Sequence, residues 1–293
     1  MAQYITRKNW LRLHFWPGII IGFFISLIGM SGAVLLLKKP VLEWEIGKAV
    51  LYAPPVTGTS AFLPPEIWRQ NAQAAYPQLT RVMGEAAPGS GFIPATNAMV
   101  FGSVSHSDKL GIAFIDPVNG APKGFIVFDD LIFSQIVSLH RTLLLPPVSG
   151  SWLVFISGIV LTLSVISGII LWWPRKGWRQ FISALFLFRT GLQGAAKWRQ
   201  WHYFFAVYFS LPLLLLAVTG IFLARPDMLS VIPEYKPLIT QLHRDMGIGI
   251  PGIIIALLSG ILLPLLYISG IVIWWKKRKS QRNHTSSVNG NIK

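Results

Sequence analysis

Four of the six histidines in this chain stand at or near the ends of long apolar segments: His14, His140, His202 and His243. An ionisable side chain in or at the edge of a membrane costs free energy and usually has a function. A single interfacial histidine can also be an anchor or a helix–helix hydrogen bond. The chain has no cysteine, which excludes disulfides, thiolate metal sites and iron–sulfur clusters. Histidine is therefore the strong metal ligand that remains.

The remaining two histidines, His106 and His284, fall in a loop and in the C-terminal tail. We expect both side chains to be solvated.

The four histidines belong to an internal duplication. An offset of 188 residues places Trp10 on Trp198 and His14 on His202. An offset of 102 residues aligns Ser167-Gly168 with Ser269-Gly270 and Trp172-Trp173 with Trp274-Trp275, and a one-residue slip matches Leu139-His140-Arg141 to Leu242-His243-Arg244. The chain is therefore a duplicated helix pair in which each helix has its own histidine.

The duplication predicts two histidine pairs at opposite faces of a membrane. Pseudo-twofold symmetry about the membrane normal would bring His14 towards His202, and His140 towards His243, across the bundle. This arrangement clamps a planar metal macrocycle from both sides, and neutral imidazole is a common ligand of haem iron. Because the Cys-x-x-Cys-His attachment motif is impossible here, the haem would be noncovalent and of the b type. We expect two haem b groups, with the four histidines as iron ligands.

Small residues follow two of the histidines at helical spacing. Steps of three and four from His14 meet Gly18, Gly22, Gly29 and Gly32, and the same steps from His202 meet Ala206, Ser210, Ala217 and Gly220. Such stripes are common where membrane helices pack closely. With a histidine at the head of each stripe, we expect the porphyrin at the histidine end and helix contact farther in.

An arginine directly follows each of the other two histidines. Guanidinium groups bind carboxylates through paired hydrogen bonds, so Arg141 and Arg244 are candidate contacts for haem propionates. Arginines are also ordinary at a membrane interface. Both interpretations stay open.

The elements that must position these residues are transmembrane helices. The 293 residues are 53% hydrophobic and 13% charged, a balance too apolar for one soluble domain. Four uncharged runs each have about the ~20 residues that cross ~30 Å of hydrocarbon; they are Trp16–Leu37, Trp152–Trp173, Phe204–Leu223 and Gly252–Trp275. We predict an all-α membrane bundle of four helices, contained in segments 1–37, 131–173, 201–223 and 252–275.

The net charge of +15 is distributed asymmetrically along the chain. The N-terminus, the 174–200 loop and the 276–293 tail contain fifteen of the 26 Lys and Arg residues and none of the acids. The segments on the opposite side, which include 38–130 and 224–251, contain the remaining basic residues and all eleven acids. This is the positive-inside pattern, which puts both termini in the cytoplasm. The charge therefore indicates a lipid bilayer as partner and no nucleic-acid role.

One sizeable soluble segment, residues 38–130, separates the first two apolar runs. Pro65–Tyr76 reads as a short helix, and Ala98–Val104 and Gly111–Ile115 read as strands. Asp116–Gly120 has turn chemistry before a further strand at Gly124–Phe128. We expect a small α+β unit outside the cytoplasm.

In the order of these motifs the chain resembles the PepSY-associated transmembrane family over about Lys8–Lys279. The resemblance rests on four features: Trp10-x-x-x-His14, Leu139-His140-Arg141-x-Leu143-Leu144, the Ser167–Pro174 end of the second apolar run, and an inserted segment whose Ile115-Asp116-Pro117-x-x-Gly120 hairpin looks like a PepSY α-β-β unit. It implies an inner-membrane protein of Gram-negative bacteria with a periplasmic PepSY-like domain. Some members are haem-containing reductases that pass electrons to periplasmic ferric siderophores. By this resemblance the four histidines would be haem ligands.

Two hypotheses of different classes follow. The first is a haem-dependent reductase of iron acquisition, which takes electrons from a quinol or a cytoplasmic reductase and gives them to a ferric siderophore or other ferric chelate. It needs no acid–base catalytic residue. The second is a non-enzymatic module whose PepSY unit binds or regulates a periplasmic partner, although an anchor has no need of duplicated histidines. A permease is disfavoured because no broken helix or buried charge pair marks a transport path.

Overall fold

A computed structural model describes residues 6–54, 61–174, 177–186, 188–225, 227 and 233–290. The chain forms two compact units, one made of Met1–Leu36 with Ser138–Lys293 and the other of Leu37–Val137. The helices are α1 (Arg7–Leu36), α2 (Lys38–Ile46), α3 (Lys48–Leu51), α4 (Pro65–Ala75), α5 (Ile132–Thr142), α6 (Pro147–Trp172), α7 (Trp178–Phe186), α8 (Gly194–Tyr208), α9 (Ser210–Ala224), α10 (Lys236–Asp245) and α11 (Ile250–Gly290). The strands are β1 (Leu79–Ala86), β2 (Ala98–Val104), β3 (Leu110–Ile115) and β4 (Pro122–Val127).

The first unit is made of apolar helices. Among the described residues, α1, α6 and α11 are each long and apolar enough to cross a membrane, and α8 with α9 is a fourth candidate if this bent pair is one span. Helix α1 packs against α6 and α11, while α9 packs against α6 and α8 against α11. The chain is thus a membrane protein with several candidate spans, as its composition predicts.

The third predicted helix is not continuous. The structure divides segment 201–223 between α8 and α9, whose axes differ by 62°. Pro212 explains the break, because proline has no N–H for the carbonyl of Tyr208 and its ring clashes there. The neighbouring backbone stays bonded: the Phe209 N–H donates to the Phe205 carbonyl at 3.0 Å, and the Leu213 N–H donates to the Phe209 carbonyl at 2.9 Å. The chain bends without leaving these groups unpaired.

Other segments contain more helix than their sequence indicated. Helices α2 and α3 lie in the first part of segment 38–130, and α7 lies in the 174–200 loop. Helix α11 continues past the expected end at Trp275 to Gly290. Helices α2, α3 and α7 and the last part of α11 contain no long apolar run, so a hydropathy criterion does not find them.

Glycines form the close helix contacts in the middle of the first unit. A Cβ added at Gly29 would lie 3.0 Å from the Gly260 carbonyl oxygen, and one at Gly158 would lie 2.7 Å from Ile221 Cγ1. A Cβ at Gly18, one turn from His14, would meet no atom of the described residues within 4 Å. The expected helix contact away from the histidine end is therefore confirmed.

The second unit contains a small antiparallel sheet with strand order β1-β2-β3-β4. Helix α4 buries Trp68 and Ala72 against Leu79, Val100 and Ile115. Helix α4 and strands β2, β3 and β4 confirm the elements predicted from sequence to within two residues at each end. Strand β1 was not predicted, because its residues are mostly exposed or half-buried and show no clear alternation of apolar side chains.

The turn between β3 and β4 is also the predicted one. Asp116 Oδ1 accepts hydrogen bonds from the backbone N–H groups of Val118, at 3.0 Å, and Asn119, at 3.2 Å. Gly120 has a φ of +74°, which glycine adopts without strain. Burial alone would raise the pKa of Asp116, but these N–H groups and the Lys123 ammonium lower it. The carboxylate therefore holds the hairpin in its ionised form.

Two histidines, His106 and His284, were expected to be solvated. His106 is exposed in the turn after β2, as predicted. The side chain of His284 lies outside the described residues.

Candidate functional site

His14 and His202 lie side by side. His14 is on α1 and His202 on α8, and their ring centroids are 6.4 Å apart with the ring planes at 88°. Helices α1 and α8 both pack against α11, so the two side chains approach each other from two helices that share this neighbour. The structure therefore brings together the first pair that the duplication predicts.

His140 and His243 form the second pair. They belong to the short helices α5 and α10, and their ring centroids are 6.1 Å apart with the planes at 49°. Fourteen residues of α1 separate His14 from Ile28, whose carbonyl contacts His140; at about 1.5 Å per residue this is about 21 Å. The two pairs are therefore separate sites.

Each histidine uses its Nδ1 atom in a hydrogen bond to a neighbouring helix. The acceptors are the Ser164 carbonyl (3.0 Å) and the Ser167 hydroxyl (3.1 Å) for His14, the Ser269 hydroxyl (2.7 Å) for His202, the Ile28 carbonyl (2.9 Å) for His140, and the Thr219 hydroxyl (2.9 Å) for His243. In the described part of the chain, no Nε2 atom of the four has a hydrogen-bond partner.

The hydroxyl groups determine the tautomer of the imidazoles they contact. Ser167 donates its own proton to the Leu163 carbonyl at 2.6 Å, and Ser269 donates to the Leu266 carbonyl at 2.9 Å. Thr219 donates to a carbonyl of its own helix in the same way. Each oxygen can then only accept from the imidazole, so Nδ1 carries the proton and Nε2 presents a lone pair. Metal-ligating histidines are commonly held in this way.

A glycine lies beneath each imidazole. A Cβ added at Gly32 would be 2.7 Å from Cε1 of His140, and the corresponding distances are 3.2 Å at Gly168 for His14, 3.3 Å at Gly220 for His243 and 3.9 Å at Gly270 for His202. A side chain at the first three positions would push the ring away from its place. The backbone of a neighbouring helix therefore forms part of each histidine site.

Every one of these glycines follows a buried serine or threonine, in the dipeptides Ser31-Gly32, Ser167-Gly168, Thr219-Gly220 and Ser269-Gly270. Two of them, Ser167-Gly168 and Ser269-Gly270, mark the duplication in the sequence, but their contacts with the imidazoles were not predicted. The available signal was their position, because the offsets of 188 and 102 residues map them onto each other along with the histidines.

The donor set fits a haem better than a bare metal ion. With a metal–nitrogen bond of about 2 Å, two imidazoles on opposite sides of one iron have centroids about 6 Å apart. Both observed separations, 6.4 Å and 6.1 Å, match this value. The described residues contain no group of three or more histidines and acids that could hold a metal ion. A porphyrin supplies four ligand atoms of its own, so two histidines complete its iron.

The surroundings of the second pair favour the neutral form of its imidazoles. Burial lowers the pKa of His140, and burial together with the neighbouring His140 lowers the pKa of His243 to about 4. Neutral imidazole is the form that binds iron.

The two candidate propionate contacts differ in their surroundings. Arg244 bonds Asp245 through two nitrogens, at 2.7 Å and 3.2 Å from Oδ2. Arg141 is exposed and, within the described residues, makes no ion pair. A carboxylate ligand would therefore find Arg141 the more available of the two.

The fold and these contacts define a class: a membrane protein of several apolar helices, with paired histidines and a small antiparallel sheet unit. The chain belongs to the family described as the PepSY-associated TM region, which matches residues 11–232. This confirms the resemblance seen in the sequence, and the matched range includes the first three of the four histidines. No curated protein matches the chain.

Proposed function

We propose that this protein binds two haem b groups, one between His14 and His202 and one between His140 and His243, and carries electrons across the bacterial inner membrane. The observation that supports this most strongly is the pair of imidazole separations of 6.4 Å and 6.1 Å, each with Nδ1 bonded and Nε2 available. The bent pair α8–α9 acts as one span, which makes a duplicated bundle of four transmembrane helices.

Such a haem would supply the exchange of one electron at its iron, and the two histidines of each pair would hold it. The protein's own residues prepare this chemistry. The hydroxyl and carbonyl acceptors keep the Nδ1 proton in place, so Nε2 would be free to bind the iron. All four histidines are half-buried among the helices. Electron exchange at haem iron would move no proton, and a quinol donor would release its two protons to the solvent as its two electrons leave one at a time, so no acid–base catalytic residue of the chain is required.

The basic residues at the termini and in the 174–200 loop support a cytoplasmic position for both termini. The His14/His202 pair then lies near the cytoplasmic side and receives electrons from a quinol or a cytoplasmic reductase. The His140/His243 pair and the PepSY-like unit lie on the periplasmic side, and the acceptor there is a ferric siderophore or another ferric chelate. Reduction of such a chelate releases weakly held Fe(II), which suits iron acquisition.

The main alternative is a non-enzymatic module in which the sheet unit binds or regulates a periplasmic partner. This alternative does not explain why the chain has two imidazole pairs whose Nδ1 atoms are hydrogen-bonded. The bend at Phe209 favours a permease more than the sequence did, because transporters often contain broken helices. However, the Phe209 amide and carbonyl are both bonded within the chain, so these two groups are not free to bind a substrate.

The function is tested in proteoliposomes that contain reduced protein. A membrane-impermeant ferric siderophore added on the side of the sheet unit should reoxidise the haem, and the same reagent on the opposite side should not. Deletion of residues 65–129 should slow this reoxidation more than it lowers the haem content. Equal reoxidation from both sides, or none from either, would instead favour the partner-binding module.

A further inference from the structure

The Ser/Thr-Gly dipeptides beneath the histidines are not equivalent at the two sites. We propose that they set different reduction potentials, lower at His14/His202 and higher at His140/His243, so that electrons pass from the first site to the second. This inference rests on the proposed haem binding and assigns a direction to it.

The same dipeptide also occurs away from the histidine pairs. These copies separate its role in helix packing from its role as a hydrogen-bond acceptor for an imidazole. Ser157-Gly158 in α6 and Ser259-Gly260 in α11 lie about ten residues from Ser167 and Ser269. Within the described parts of the chain, their hydroxyls donate only to the Leu153 and Ile255 carbonyls of their own helices, both at 2.7 Å. Their glycines contact neighbouring helices and no imidazole. Helix packing alone therefore does not require a hydroxyl that faces a histidine.

An acceptor at the Nδ1 proton makes the imidazole a stronger donor to iron. Stronger donation stabilises the ferric form and lowers the reduction potential, since second-layer hydrogen bonds tune haem iron. Each histidine of the His14/His202 pair has a hydroxyl acceptor, and His14 also bonds the Ser164 carbonyl. Among the described residues, only His243 of the His140/His243 pair has a hydroxyl acceptor, while His140 bonds the Ile28 carbonyl. The first site should therefore have the lower potential.

At the second site charge acts in the same direction as the hydrogen bonds, whereas at the first site the basic residues of the termini and the 174–200 loop act against it, so the order of the potentials rests on the hydrogen bonds. Arg141 follows His140 directly, and in the described residues no acid pairs with it. A nearby positive charge favours the reduced form of an iron site over the oxidised form. Arg244 beside His243 is largely neutralised by Asp245, 2.7 Å away.

Between haems held in this way, one electron would leave the His14/His202 site, which is oxidised, and reach the His140/His243 site, which is reduced. The Nδ1 hydrogen bonds would persist, so the histidines would move no proton. The electron that restores the first site would come from the quinol or cytoplasmic reductase, and a quinol would release its protons to the solvent.

Thr219 is the position at which this inference can be tested with the least disturbance. Thr219→Val keeps the shape of the side chain and removes the hydroxyl acceptor of His243, leaving the Leu216 carbonyl as a partner, whereas Thr219→Ser keeps the hydroxyl acceptor. Thr162→Val is the matched control, because the Thr162 hydroxyl donates to the Gly158 carbonyl of its own helix at 2.9 Å and contacts no histidine. The measurement is a potentiometric titration of the detergent-purified holoprotein followed by absorption, with His202→Ala and His243→Ala proteins used to assign each midpoint.

We expect two midpoints, with the higher one retained in His202→Ala and the lower one in His243→Ala. Thr219→Val should raise only the higher midpoint, and Thr219→Ser and Thr162→Val should leave both in place. If Thr219→Val lost the His140/His243 haem and Thr219→Ser retained it, that result would also support a role of the Thr219 hydroxyl in positioning His243. The reverse order of midpoints, or a Thr219→Val titration that matches Thr162→Val, would overturn the inference. A wild-type protein without haem would instead refute the proposed function.

Discussion

Gly32→Ala tests how closely the backbone of α1 fits the His140 imidazole. The new Cβ would lie 2.7 Å from Cε1 and 3.0 Å from Nδ1 of His140. Ordinary contacts between carbon atoms are about 3.5–4.0 Å, so the ring must move by about 1 Å. Metal–ligand distances tolerate only about 0.2 Å. We therefore expect the His140/His243 haem to be lost and the haem content to fall by half.

The assay is the haem-to-protein ratio of detergent-purified protein, measured as the pyridine haemochrome. Two variants serve as controls. Gly158→Ala makes an equally close contact, 2.7 Å from Ile221 Cγ1, at a place without histidine, and Gly270→Ala lies 3.9 Å from His202 Cε1, an ordinary distance. Both should keep the full haem content. If Gly32→Ala kept both haems with unchanged spectra, or if Gly158→Ala lost as much haem, the account of the glycine beneath the ring would be wrong.

Three further predictions concern other parts of the molecule. His202→Ala should remove one haem and leave the spectrum of the other site, and His243→Ala should do the reverse; loss of all haem in either single variant would contradict the pairing. Arg141→Gln should weaken haem retention at its site more than Arg244→Gln, because Arg244 is already paired with Asp245; equal haem loss during dilution or dialysis of the two variants would exclude a specific propionate contact. The pKa of Asp116 is lowered, so its stabilisation of the sheet unit is present above the unfolded pKa of about 4 and is lost as the pH falls through the folded pKa. Hydrogen exchange of the β3–β4 hairpin should accelerate in acid for the wild type, and the Asp116→Asn protein should show a smaller dependence on pH.

Local signals in the sequence predicted the parts of the fold that depend on neighbouring residues. The Asp116–Gly120 turn and strand β2 follow from residue types within a few positions. The bend at Phe209 has a local cause as well, since Pro212 removes one N–H, but the surrounding apolar run conceals it from a hydropathy criterion. Strand β1 is recognisable only from its pairing with β2.

The histidine pairs could be predicted because the duplication supplied the symmetry that relates distant segments. Their immediate surroundings could not be predicted in the same way. The contact between His14 and Ser167 joins residues 153 positions apart, and nothing close to either residue in the sequence indicates it. Only the helix packing shows that a serine or threonine and a glycine occur together at each site.

The most direct test of the central claim is the absorption spectrum of the wild-type protein, purified in detergent from haem-replete cells, before and after reduction with dithionite. Two histidine pairs with ring centroids 6.4 Å and 6.1 Å apart predict the spectrum of six-coordinate b-type haem, extractable with acid acetone, at about two haems per chain. A colourless protein would contradict the claim.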